Sequence, residues 1–141
     1  MPRRLFGSGL ISKLGEGRSI MKTSYPDIRP YTTKDNSEIR ELMHPATHGN
    51  VNQSFAEAIV APGCTTHLHR HRATEEIYHI TAGEGSMRLG EDTFAVCAGD
   101  TICIPPGTPH CIENTGSTPL KILCACSPPY SHEDTELLAE S

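Results

Sequence analysis

GCTTHLHRHRATEEIYHITAG, running from Gly63 to Gly83, holds four of the chain's eight histidines and two adjacent glutamates. Such a cluster is either a metal site or an unusually basic surface strand. Strand geometry sorts its side chains. Successive residues alternate faces, so His69 and His71 share one face and their imidazoles can meet one ion. After a turn, Glu76 opens the next strand. Tyr78 and Ile80 follow on its face, while Ile77 and His79 point the other way. A paired strand can deliver Glu76 beside the two histidines, but an ion held by several elements needs a further ligand.

A second stretch, GDTICIPPGTPHCIEN from Gly99 to Asn114, supplies a candidate. Thr101 to Ile104 reads as a short strand. Pro105-Pro106-Gly107 forces a tight reversal, because proline fixes φ and glycine accepts a positive one. His110 then starts a new strand, with Ile112 and Asn114 on its face.

Together the two stretches resemble the cupin superfamily. The first family motif, G-x5-H-x-H-x4-E-x6-G, is met by Gly63, His69, His71, Glu76 and Gly83. The second, G-x5-P-x-G-x2-H-x3-N, is met by Gly99, Pro105, Gly107, His110 and Asn114, with 15 residues between the motifs. The resemblance implies an all-β fold, a double-stranded β-helix jelly-roll barrel, with one divalent transition metal per chain. Carried over by position, the ligands are His69, His71, Glu76 and His110. Small cupins of this kind are often homodimers.

The ligand types suit such an ion. Imidazole suits iron, nickel, cobalt and zinc, and a carboxylate admits manganese. Four protein ligands leave open positions on a six-coordinate ion. Two positive charges against one carboxylate leave the site at about +1, which favours an anionic or chelating small molecule. Tyr78, on the metal face, and His67, on the face of His69 if the strand stays regular, are the candidates for proton handling. Each has a plainer reading, Tyr78 as barrel filling and His67 as a rim residue. Asn114 reads as structural. Cys124 and Cys126 share a strand face and read as core thiols, since positions i and i+2 along a strand are badly placed for a disulfide.

The rest of the chain fits a β-rich domain. Its 141 residues fit one domain. Prolines and glycines punctuate short segments rich in β-branched residues, which predict strands at Ser37–His44, Ser54–Ala61, Glu76–Ala82, Ser86–Gly90, Asp92–Ala98, Thr101–Pro105, His110–Asn114 and Pro119–Ser127. Residues 1–25 are expected to be a disordered extension, 26–127 the barrel, and 128–141 a tail that forms a helical turn or frays. The segment Ser37–His44 is a candidate for pairing across a dimer axis. A net charge of −5 and 5% aromatic residues supply neither the basic patch nor the stacking platforms of nucleic-acid binding. No run approaches the ~18 apolar residues of a membrane span. Six cysteines without a C-x-x-C spacing, and no clear export signal, point to reduced thiols and a cytoplasmic protein.

Fold and metal do not select a reaction. A dioxygenase, a Lewis-acid isomerase or lyase, a ligand-binding or sensing module, and a structural metal protein all fit the sequence.

Overall fold

The computed structural model describes residues 10–13 and 19–139. Thirteen strands make up almost all of its regular structure: β1 (Leu10–Lys13), β2 (Ser19–Lys22), β3 (Tyr31–Thr32), β4 (Glu38–Met43), β5 (Ser54–Val60), β6 (His69–His71), β7 (Glu75–Ala82), β8 (Glu84–Leu89), β9 (Asp92–Cys97), β10 (Thr101–Ile104), β11 (His110–Asn114), β12 (Leu120–Ser127) and β13 (Thr135–Leu137). One helical turn, α1 (Pro45–His48), follows β4. Pairing is antiparallel throughout. A six-stranded sheet, β10-β7-β12-β5-β4-β3, faces a five-stranded one, β13-β6-β11-β8-β9, as expected of a double-stranded β-helix.

Alternation builds the core. Along β7, Glu76, Tyr78 and Ile80 are buried while Glu75, Ile77 and Thr81 are exposed. Along β12, Leu120, Ile122, Cys124 and Cys126 turn inward. Ile80, Met87, Ile104, Ile112, Leu120 and Ile122 are almost wholly shut from solvent and fill one end of the barrel. The other end is lined by polar and small side chains, and there the histidines lie. Asn114 ties the connections together. Its Nδ2 donates to the carbonyls of Val60 (2.9 Å) and Thr118 (2.8 Å), and its Oδ1 accepts from the Gly116 amide.

The chain crosses between sheets at Gly83, whose φ of +88° excludes most side chains. A Cβ there would lie 2.8 Å from the Pro119 carbonyl. The connection between the two sheets is therefore a single residue, Gly83. Glu84 and Gly85 already belong to β8, with Gly85 opposite Asn114.

Both ends of the barrel unit depart from expectation. Within the stretch read as a disordered extension, β1 and β2 pair as a hairpin, and residues 1–9 and 14–18 lie outside the described residues. Met21 lies against Gly49, the Thr23 hydroxyl donates to the Leu42 carbonyl at 2.7 Å, and Ile28 is buried. At the other end, the expected helical or frayed tail instead forms β13, hydrogen-bonded along β6. Three-residue β6 would otherwise leave one edge unpaired, and β13 covers it. Asp134 receives the amides of Ala73 and Thr74, and Leu138 donates to the Leu68 carbonyl, so the C-terminal segment is part of the barrel. Strand β4 is not free to pair with another molecule along Glu38 and Ile39, because β3 covers them.

Candidate metal centre

Two sheets meet at the site. His69 and His71 flank Arg70 on β6, and His110 opens β11 directly opposite His69. Glu76 comes from β7 of the facing sheet. The four side chains are 0–5% exposed. The nitrogens that His69, His71 and His110 offer lie within 4.8 Å of one another, and their ring centroids are 4.2–5.4 Å apart. Glu76 Oε1 lies 3.1 Å from His71 Nε2 and 3.7 Å from His110 Nε2.

Each imidazole is oriented by its other nitrogen. His69 Nδ1 donates to the His67 carbonyl at 2.7 Å and His110 Nδ1 to the Thr108 carbonyl at 2.9 Å. His71 Nδ1 faces Thr135 Oγ1 at 2.9 Å. That hydroxyl already donates to the Ser131 carbonyl, so here it accepts. With all three Nδ1–H groups engaged, the tautomers are set and every Nε2 presents a lone pair to the common centre. Glu76 is held in the same way, its Oε2 accepting from the Cys126 thiol at 3.3 Å. His110 Nε2 and Glu76 Oε1 are buried with no hydrogen-bond partner among the described residues. Buried polar atoms are ordinarily satisfied, and this donor set of imidazole nitrogens and one carboxylate oxygen fits a divalent transition ion.

Burial, and then the neighbouring His110, push the His69 imidazole down to about 4, so it is neutral at physiological pH. Burial pushes the thiols of Cys124 and Cys126 upward, and Glu76 pushes them further. Both remain protonated, and none of the six cysteines is in a disulfide, consistent with core thiols rather than a redox pair.

A cavity opens beside the cluster. Tyr78 lines it, 5% exposed, with its ring edge-on to His110 at 6.0 Å. Burial raises its hydroxyl well above the usual phenol range, so Tyr78 is a donor and not a base. His67 is not in the cavity. Leu68 and His69 are both buried, which breaks the alternation, and the His67 side chain is exposed. Its backbone alone serves the site, the carbonyl accepting from His69 and the amide donating to the Asp35 carbonyl at 2.8 Å. His79 faces outward and bonds Thr101, as its strand position predicts.

Four contributors, Asp35, Glu41, Tyr130 and Thr135, were not singled out as site residues in the sequence. Asp35 Oδ2 lies 3.6 Å from His69 Nε2. Its Oδ1 is held by the Ser37 amide and by the hydroxyls of Ser37 and Thr33. Glu41 and Tyr130 line the same cavity. The alternation Thr33-Asp35-Ser37 was the available signal for Asp35, but it reads equally as an ordinary turn.

The Cupin domain family matches residues 56–126, half of the chain. The chain is a cupin. This cupin is 60% identical over 119 residues to an uncharacterized protein of Methanocaldococcus jannaschii, covering 84% of this chain and 95% of that one. It is 34% identical over 90 residues to an oxalate-binding protein of Thermotoga maritima, covering 64% of this chain and 74% of that one. Among solved structures, a predicted oxalate decarboxylase from Thermotoga maritima superposes with a TM-score of 0.66 at 29% identity, over 74% of this chain and 96% of that one. Oxalate decarboxylase from Bacillus subtilis superposes with a TM-score of 0.72 at 20% identity, over 90% of this cupin but 35% of that longer chain, a likeness of fold.

Proposed function

We propose that this cupin binds one divalent transition metal (Fe, Mn, Ni, Zn or Co) through His69, His71, Glu76 and His110, and uses it to hold a small oxygenated, anionic or chelating molecule. The observation that carries the reading is the convergence of three imidazole lone pairs within 4.8 Å of one another, those of His71 and His110 lying 3.1 and 3.7 Å from Glu76 Oε1, while every Nδ1–H is engaged elsewhere. When bound, the ion would supply a Lewis acid that polarises an oxygen of the ligand. The chain's own part is to orient and to shield. Glu76 offsets part of the positive charge. Tyr78 offers a protonated hydroxyl beside His110. The buried walls exclude water and strengthen each polar contact within.

Two classes of activity fit this arrangement. One is turnover, as a dioxygenase or a Lewis-acid isomerase or lyase, with Tyr78 handling a proton. The other is binding or sensing without turnover, favoured by the likeness to an oxalate-binding protein. Elemental analysis of untagged protein, followed by Co(II) titration with oxalate and a hydroxy-ketone, tests the shared reading. Saturable shifts of the ligand-field bands support an open site, and bands indifferent to every addition refute it. Oxygen-consumption screening of the Fe(II) form then separates a dioxygenase from the rest.

A homodimer belongs to the same proposal. Ile20, Met21 and Phe55 are 37–40% exposed, and Met21 and Phe55 share one shallow depression with Met43. Light scattering that gives only the 15.3 kDa monomer at micromolar concentration would refute it. The cytoplasm is the compartment that suits six cysteines without a disulfide.

A further inference from the structure

The cavity has a second pole, remote from the histidines. Glu41 sits on β4, and the register across the sheet runs Glu41, Ala56, Cys124, Tyr78. Beside it runs Ser54, Cys126, Glu76. The small residues in the middle of these rows leave the floor of the cavity open. Three strand spacings put the Glu41 backbone about 14 Å from that of Tyr78, a gap that the inward side chains shorten.

Glu41 is 3% exposed and lines this cavity. Its Oε1 accepts from the Tyr31 hydroxyl at 2.5 Å. Its Oε2 is buried with no hydrogen-bond partner among the described residues. His44 is nearest, with Nδ1 3.9 Å away, but it offers no proton. That nitrogen accepts from the Ala46 amide, and Nε2 donates to the Tyr130 carbonyl at 2.7 Å. A carboxyl oxygen left unsatisfied at a cavity wall is a place for a ligand atom.

We infer that Glu41 is the ligand-recognising residue at the far pole of the cavity and that it takes a hydroxyl. This rests on the metal reading above and narrows its ligand class to small hydroxylated acids. The carboxylate and adjacent hydroxyl of such an acid chelate at the histidine end, and a distal hydroxyl meets Glu41 Oε2. Dicarboxylates of the same length are disfavoured. Among the described residues no Lys or Arg lines the cavity, whereas Asp35, Glu41 and Glu76 all do. A hydroxyl both donates and accepts, so it satisfies Oε2 whichever protonation state Glu41 holds. A terminal carboxylate only accepts, and must first bring a proton.

The test uses the full chain loaded with Co(II) at pH 8, titrated by its ligand-field bands with matched pairs: erythronate against meso-tartrate, and D-gluconate against D-glucarate. Each pair differs only in a terminal CH2OH or carboxylate. The hydroxyl-terminated member of at least one pair should bind about ten-fold tighter or more, against the order set by charge attraction to the ion. In Glu41→Gln, whose amide can donate to a carboxylate, and in Glu41→Leu, the ratio should fall towards one while the bands before titration stay as in wild type. Dicarboxylates that bind as well or better at both lengths, or a ratio unchanged in both variants, overturn the inference and leave the metal reading standing. Wild type that takes up no Co(II) at all sinks both.

Discussion

His71 Nδ1 rests 2.9 Å from the hydroxyl of Thr135, a residue 64 positions further along the chain. The hydroxyl is fixed in turn by the Ser131 carbonyl, so a loop outside both sequence motifs sets the lone pair of one candidate ligand. Thr135→Val keeps the shape and removes the acceptor. Metal affinity should fall about 10–100-fold, measured by competition with a chromophoric chelator, and Thr135→Ser should recover most of it. Equal affinity in wild type and the valine variant would mean that His71 needs no such support.

His71→Ala should abolish stoichiometric metal, read by plasma mass spectrometry on untagged protein. His67→Ala should not, because that side chain is exposed and only its carbonyl reaches His69. Loss of metal in His67→Ala would restore His67 to the site.

Acid should weaken the metal-free protein before its carboxylates titrate. His69 is held at about 4 in the folded state, mainly by burial and then by His110, against about 6.5 unfolded. The unfolded chain therefore binds more protons between these values. The stability concerned is complete above about 6.5 and is lost as the pH falls towards 4, by roughly 3 kcal/mol at most. Urea midpoints from pH 7.5 to 4.5 on chelator-stripped protein should show this slope, flattened in His69→Gln.

Gly85→Ala should destabilise by about 2 kcal/mol or more, since a Cβ there would run into the Glu113 carbonyl of the paired strand. Thermal melts measure it. The same substitution at Gly63, where a Cβ meets nothing within 4 Å and the penalty is only its positive φ of +76°, should cost less.

How far the site could be read in advance depended on how local its signals are. His69, His71, Glu76 and His110 lie in two short stretches whose period-two alternation puts them inward, and the folded chain brings them together. His67 was misplaced because the same alternation was extended past Leu68, where consecutive buried residues end it. Asp35, Glu41, Tyr130 and Thr135 reach the cavity through strand order. Strand order depends on pairings such as β13 with β6 and β4 with β5, across stretches of chain that carry no periodic link. The tail misled for a related reason. Thr135–Leu137 is too short to show a pattern of its own, and only the open edge of β6 makes it a strand.

The dependence of β6 on β13 has a consequence for biogenesis. During synthesis His69 and His71 leave the ribosome well before Ser131 and Thr135, and until those residues arrive the edge of β6 is open and His71 has nothing to hold its ring. A nascent or truncated chain therefore lacks the acceptor that sets the His71 tautomer. If the site takes an ion, its full set of oriented ligands awaits the C-terminal segment.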